Sequence, residues 1–238
     1  MNLFDGNKPL FIAHRGYTPA APENSIPSFI EAAKRHYWAI ETDVHATKDG
    51  ILVCCHDGSL LNMYGVDVVI GNVTYEELKS YRICKGNNVE KLDDAMLCIP
   101  LFEEDLKICK DNGCVPFLET KAAVVPQVID MLKSMNMTER AVLSSVQYSH
   151  IIEARKISDI FVHHIFSDYN KMLEISEMGN GGLSYNYPNL DDVPDGLIEE
   201  THKNGVKVCL RAGDNKETVD RMIALGLDYI PTNCFVPE

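Results

Sequence analysis

The chain has 238 residues, 45% of them apolar, enough to bury a full-sized core, and it carries a net charge of −13 with a sequence pI near 5.0. With no run of Lys or Arg to track a phosphate backbone, nucleic acid is excluded as an expected partner, and an anionic ligand needs a local cluster of cations or a metal to override the global field. No stretch approaches the ~18 consecutive apolar residues of a membrane span, and the opening MNLFDGNKPLFIAHRG lacks a signal-peptide pattern, so a cytoplasmic protein is expected, with a secreted precursor left open.

The first element, PLFIAH (9–14), reads as a strand with Leu10, Ile12 and His14 on one face. ENSIPSFIEAAKRH (23–36) follows as an amphipathic helix: Ile26, Phe29, Ile30 and Ala33 recur at helical spacing, Asn24 or Ser25 is the N-cap, and Pro27 sits in the first turn. AIETDVH (39–45) is a second strand, and alternation puts Ile40, Thr42 and Val44 on one face with Glu41, Asp43 and His45 on the other. TKDG (47–50) then carries an Asp-Gly turn signal, so ILVCCH (51–56) is expected to fold back antiparallel and bring His56 to the barrel mouth, opposite His14.

Residues 58–98 break the rhythm. They form a long excursion with a short helical stretch at 74–81, of the kind that usually serves as a lid or cap. Beyond it, strands at 114–121, 140–146, 160–166, 182–187, 206–211 and 227–232 alternate with helices at 101–112, 124–137, 148–158, 169–178, 196–204 and 216–225, several closed by glycine at 113, 205 and 226. Eight such strands alternating with helices predict an α/β fold, a (β/α)8 TIM-like barrel, in one domain spanning 1–238 with a cap inserted at about 58–98. An open doubly wound sheet would carry a glycine-rich loop after its first strand, where this chain has HRGYTPAAPEN.

In the strand at 114–121, Phe117, Glu119 and Lys121 share a face, so three carboxylates (Glu41, Asp43, Glu119), Lys121 and His14 fall at the C-terminal ends of neighbouring strands, where such barrels build active sites. Three anions in a partly dry space cost several kcal/mol unless compensated, and Lys121 alone is too little. The all-oxygen set suits Mg²⁺ or Ca²⁺; His45 would extend it toward Zn²⁺ or Mn²⁺ but lies farther out along its strand. The competing reading is a structural Glu–Lys pair with Asp43 bonded to loop amides. His14 and His56 suit a general acid and base pair, whereas His36, His150, His163, His164 and His202 read as satisfied core histidines. The eight cysteines contain no CxxC pair and read as buried free thiols.

The ordered set AHRG (13–16), PENS (22–25), ETD (41–43), TKDG (47–50), HD (56–57), IPLFEE (99–104) and ETK (119–121) resembles the glycerophosphodiester phosphodiesterases over about the first 125 residues. The resemblance implies a metal-dependent hydrolysis of a small-molecule glycerophosphodiester to glycerol 3-phosphate and an alcohol. It implies Glu41, Asp43 and Glu119 as ligands of Mg²⁺ or Ca²⁺, His14 and His56 as base and acid, and Arg15 and Lys121 as phosphate ligands, with Glu23, Asn24 and Asp57 in support. A lyase-like phospholipase that releases a cyclic phosphate, and a non-catalytic phosphodiester-binding protein, are the alternatives. The second half departs from the pattern: Ser145–Val146 and Cys209–Leu210 stand where the family often has Ser-Phe and Trp-Thr, and Thr232–Asn233 replaces its closing Thr-Asp. Arg211 is an unexpected cation there, expected either to bind substrate or to pair with Asp214 or Asp228. The oligomeric state is not legible in the sequence.

Overall fold

The computed structural model describes residues 3–4, 9–122 and 124–236; part of the opening stretch on which the absence of a leader was read lies outside them. Eight parallel strands form a nearly closed barrel: β1 (Leu10–Ala13), β2 (Ala39–Ala46), β4 (Val115–Thr120), β5 (Val142–Ser145), β6 (Phe161–Ser167), β7 (Gly181–Tyr185), β8 (Lys207–Cys209) and β9 (Tyr229–Thr232). The hydrogen-bonded order runs β8-β7-β6-β5-β4-β2-β1-β9. Where β9 returns beside β8, the Asp228 amide donates to the Val208 carbonyl at 3.0 Å. The extra strand β3 (Leu52–Cys54) pairs antiparallel with β2, Val44 opposite Cys54 and Ala46 opposite Leu52, as the Asp-Gly turn predicts.

Helices α1 (Ile26–Lys34), α4 (Phe102–Asn112), α5 (Val125–Ser134), α6 (Tyr148–Ile157), α7 (Tyr169–Met178), α8 (Leu197–Lys203) and α9 (Lys216–Ala224) alternate with the strands, while α2 (Leu61–Tyr64) and α3 (Tyr75–Leu78) belong to the excursion. Ser25 caps α1 through a reciprocal box with Ser28, satisfying two N–H groups that a helix end otherwise leaves unpaired. Among the described residues no helix is long and apolar enough to cross a membrane.

Strand alternation sorts the apolar residues into two clusters. Ile40, Val44, Leu118, Leu143, Val162 and Ile230 face the helices, and Leu10, Ile12, Val115, Phe117, Phe161 and Tyr229 fill the lower lumen. Truncating Phe117 to Ala would cost roughly 3–5 kcal/mol, the usual figure for a buried aromatic. This apolar floor leaves only the upper, C-terminal end of the barrel free for polar side chains.

The excursion has a core of its own, in which Leu60, Tyr64, Ile70, Leu78, Ile83 and Ile99 pack on Val53 and Cys55 of the hairpin. It is tied to the loop after β1, where Asn87 Nδ2 donates to the Thr18 carbonyl (2.9 Å) and Asn88 Nδ2 to the Ala20 carbonyl (3.1 Å). Gly86, at φ +116°, lies so close to this loop that a Cβ there would sit 2.8 Å from Pro22 Cα.

Candidate active site

The turn after β1 sets the first half of the site. Arg15 (φ +58°) and Gly16 (φ +81°) are consecutive left-handed residues, and a Cβ on Gly16 would fall 2.3 Å from Ser28 Oγ. This sharp turn aims the Arg15 amide at Glu41 Oε2 (2.8 Å). The guanidinium Nη1 donates to both Glu23 oxygens at 3.1 Å, and its Nε lies 3.6 Å from Asp43 Oδ2. Asn24, itself left-handed at φ +47°, accepts at Oδ1 from Thr42 Oγ1 (2.9 Å) and the Asp43 amide (3.1 Å), and donates from Nδ2 to Asp43 Oδ2 (2.8 Å). Glu23 and Asn24 therefore hold Arg15 and Asp43 from the same loop.

Parallel pairing of β2 with β4 sets Asp43 beside Glu119, and Glu41 lies one inward position below Asp43. All three carboxylates are buried, and one oxygen from each lies within 4.8 Å of the others. Lys121 Nζ stands 2.6 Å from Glu119 Oε1 and 3.0 Å from Asp43 Oδ1; the second contact is close but poorly aligned, so Asp43 Oδ1 has an ion-pair partner and no hydrogen bond. Burial, reinforced by the charges of Asp43 and Glu119, pushes the Glu41 carboxyl well above its ordinary value. Burial acts on Asp43 in the same direction, but Lys121 and Arg15 outweigh it and hold that carboxyl below the usual range.

Two cations thus face four carboxylates, Glu23 included. The residual negative charge, the Asp43 oxygen left without an aligned hydrogen bond and the oxygen-only donors fit a hard divalent cation. His45 is not part of this cluster; its Nε2 lies 3.4 Å from the His56 carbonyl, on the side of the hairpin.

The two histidines proposed for proton transfer line one cavity of about 330 Å³ with Arg15, Glu41, Glu119 and Lys121. His14 contacts Asn233 Oδ1 through Nδ1 (2.8 Å), and Asp214 receives the Asn233 amide (2.7 Å) and Nδ2 (2.7 Å). Because a carboxylate only accepts, Asn233 must present its NH₂ to Asp214 and its oxygen to His14. The His14 Nδ1 then carries the proton and Nε2 is left with its lone pair. Burial, only partly opposed by the Asn233 bond, holds His14 below the ordinary imidazole value. His56, at the end of the hairpin, contacts Asp57 Oδ1 through Nδ1 at 2.8 Å.

Of the structural histidines, His163 meets Tyr229 Oη (2.5 Å), burial together with the neighbouring His164 pushes its imidazole down to about 3, and His150 contacts Thr120 Oγ1 (3.0 Å) and Ser145 Oγ (3.1 Å). Two expectations are corrected. His36 is exposed, beyond the end of α1 at φ +56°, where no core could satisfy it, and His202 is solvent-facing with Asp228 at 2.8 Å. Arg211 lies past the end of β8 on the cavity wall and, among the described residues, forms no ion pair. Asp228 is instead engaged by Lys207 (2.9 Å) and the Val208 amide (2.9 Å), and Asp214 by Asn233. All eight cysteines are free, but Cys84 and Cys234 are exposed because they sit in loops outside both cores. Val146 and Cys209 both line the cavity, as expected for positions where the family aromatics are missing.

Asn233 and Asp214 carry no local signal in the sequence. Their bond to His14 joins residues 219 positions apart, and only the return of β9 beside β1 brings them together.

Comparison with known proteins agrees with this geometry. The profile of the Glycerophosphoryl diester phosphodiesterase family matches residues 14–235. A glycerophosphodiester phosphodiesterase from Caldanaerobacter subterraneus subsp. tengcongensis is 29% identical over 239 residues, covering 95% of this chain and 94% of that protein. Among solved structures, a glycerophosphodiester phosphodiesterase from Parabacteroides distasonis superposes with a TM-score of 0.77 at 25% identity, over 94% of this chain and 92% of the other. A phosphodiesterase from Oleispira antarctica, solved in complex with the product sn-glycerol-3-phosphate, superposes with a TM-score of 0.80 at 21% identity, over 94% and 93%.

Proposed function

The chain belongs to the glycerophosphoryl diester phosphodiesterase family of enzymes, and from that premise we propose that it hydrolyses glycerophosphodiesters to glycerol 3-phosphate and an alcohol, using one divalent cation, Mg²⁺ or Ca²⁺. The observation that carries the reading is the convergence of Glu41, Asp43 and Glu119 in a cavity that His14 and His56 also line. We read residues 1–238 as one barrel domain with the cap at about 58–98.

Glu41, Asp43 and Glu119 would hold the cation, which when bound cancels their excess charge and polarises the phosphoryl oxygens. Arg15 and Lys121 point positive charge at the same oxygens, where negative charge grows in the transition state. Glu23 and Asn24 keep Arg15 and Asp43 in place for this.

His14 Nε2 takes a proton from the attacking water as the new P–O bond forms. His56, oriented by Asp57, gives its Nε2 proton to the departing alkoxide as the old P–O bond breaks. The lowered basicity of His14 suits the first role, since the ring is neutral near pH 7. Arg211, on the cavity wall and without an ion pair among the described residues, is assigned to the substrate phosphate or to a second anionic group.

The test is a panel of glycerophosphodiesters with Mg²⁺ or Ca²⁺, with and without chelator, and with a His56→Ala control. Glycerol 3-phosphate is the expected product, lost on chelation and restored by excess cation. Release of a cyclic phosphate as the end product would overturn direct hydrolysis, and full activity in the chelated sample would overturn the cation.

A further inference from the structure

The wall of the cavity contributed by β6 departs from regular strand geometry. Its pairing with β7 runs Val162 to Gly181, His163 to Gly182 and His164 to Leu183, then resumes at Ser167 opposite Tyr185, so β6 advances three residues while β7 advances two. The extra residue makes a bulge, a device that re-aims side chains at barrel rims. Phe166 occupies it at φ +58°, a left-handed conformation in which a bulky side chain is rare and strained.

The bulge has a specific effect. Ile165 and Phe166 are consecutive and in an unbroken strand would face opposite sides, yet both line the cavity. Phe166 is 65% exposed there, and Val146, 45% exposed at the end of β5, lines the same cavity. A lone exposed aromatic is ordinary on a protein surface. One held on a strained backbone and turned into the mouth of a catalytic cavity needs a reason.

Depth and polarity change together along this wall. Ser144, on β5 beside Glu119, is fully buried and lines the cavity, and its Oγ has no hydrogen-bond partner among the described residues. A buried hydroxyl without a partner is costly, and a substrate hydroxyl would satisfy it. The inner end of the wall is therefore suited to the glycerol hydroxyls, and the outer, apolar end to whatever is joined to the other side of the phosphate.

We propose that Phe166 is a specificity-determining residue: with Val146 and Ile165 it forms an apolar outer wall against the leaving alcohol, so the enzyme favours glycerophosphodiesters whose alcohol is an apolar alkyl or aryl group over those whose alcohol is a polyol. The proposal rests on the hydrolase reading above and names the substrate class for that site. The aromatics missing at Val146 and Cys209 are replaced in this chain by a side chain from a different strand.

The experiment compares kcat/KM for the n-butyl and the glycerol esters of glycerol 3-phosphate, in the cation-loaded wild type, Phe166→Gly and Phe166→Leu. Glycine adopts φ +58° without strain, so the first variant removes the ring while keeping the backbone. The butyl-to-glycerol ratio is expected to fall about tenfold in Phe166→Gly, the order of one lost apolar contact, and to be largely restored in Phe166→Leu. An unaltered ratio, whether both esters slow alike or neither does, overturns the specificity role alone. Failure of the wild type to turn over either ester overturns the hydrolase reading, and this proposal with it.

Discussion

Replacing Asp105 by Asn removes a buried carboxyl with no ion pair among the described residues, and the change is expected in stability rather than in catalysis. Asp105 lies on α4, fully buried, and among the described residues it has only the Cys109 thiol, 3.8 Å from Oδ1, and no hydrogen bond to Oδ2. Burial pushes its carboxyl up to about 8. Against an unfolded value of ~3.9, the folded chain holds a proton that the unfolded chain has released at every pH between these limits. Stability from this group is therefore fully present below about pH 4, falls as pH rises, and is lost above about pH 8. At ~1.4 kcal/mol per pH unit the whole window amounts to roughly 5 kcal/mol, near the upper end of what full burial produces. Asn keeps the shape and cannot ionise, so its advantage over wild type should grow from ~1–2 kcal/mol at pH 5 to roughly 5 kcal/mol at pH 8.5. Urea unfolding of both proteins at the two pH values measures this. An equal difference at pH 5 and pH 8.5 would refute the view that Asp105 is dry and unpaired.

Four further outcomes are expected. Ca²⁺ or Mg²⁺ at a hundred times its dissociation constant should stabilise the fold by ~2.7 kcal/mol, read as a rise in Tm that Glu119→Gln loses; an equal rise in the variant would place the cation elsewhere. The acid limb of kcat/KM should lie below the ordinary imidazole value of 6.5, because burial lowers His14 and only its neutral form accepts a proton, so activity rises with pH and the rise is complete at lower pH than for an ordinary histidine; Asp214→Asn, which frees the Asn233 amide to flip, should lower kcat/KM by at least about tenfold and make the ¹⁵N shifts of His14 report a mixture of tautomers. Arg211→Ala should raise KM, more for diesters with an anionic alcohol if the second anionic group is its partner and alike for all if the phosphate is, and an unchanged KM across that series would return Arg211 to a structural role.

What could be read from the sequence was what repeats locally. Period-two alternation in AIETDVH and CVPFLETK was enough to put Glu41, Asp43 and Glu119 in the lumen, because a strand buried on both faces has only two directions for a side chain. The Asp-Gly turn likewise announced the hairpin that carries His56. The β6 bulge escaped notice because one inserted residue shifts the alternation without leaving a composition signal, and IFVHHIF reads equally well as an unbroken strand. The Asn233–Asp214 support of His14 escaped because it exists only once the barrel closes. Asp105 could not be singled out among the acidic residues of FEEDLK, three of which fall in the first turn of α4, where acidic side chains are ordinary.

The cap has a bearing on how the site opens and closes in time. Its core includes Val53 and Cys55, which flank the approach to His56, and its Asn87 and Asn88 hold the loop that carries Arg15, Glu23 and Asn24. The hairpin follows β2 and that loop follows β1, yet both are fastened to the same small body. Loosening the cap is therefore expected to loosen the hairpin that ends at His56 and the loop that holds Arg15 and Asp43 together, as one cooperative unit. Hydrogen exchange checks this: amides of the cap, the hairpin and residues 15–24 are expected to exchange together and faster than the strands beneath them.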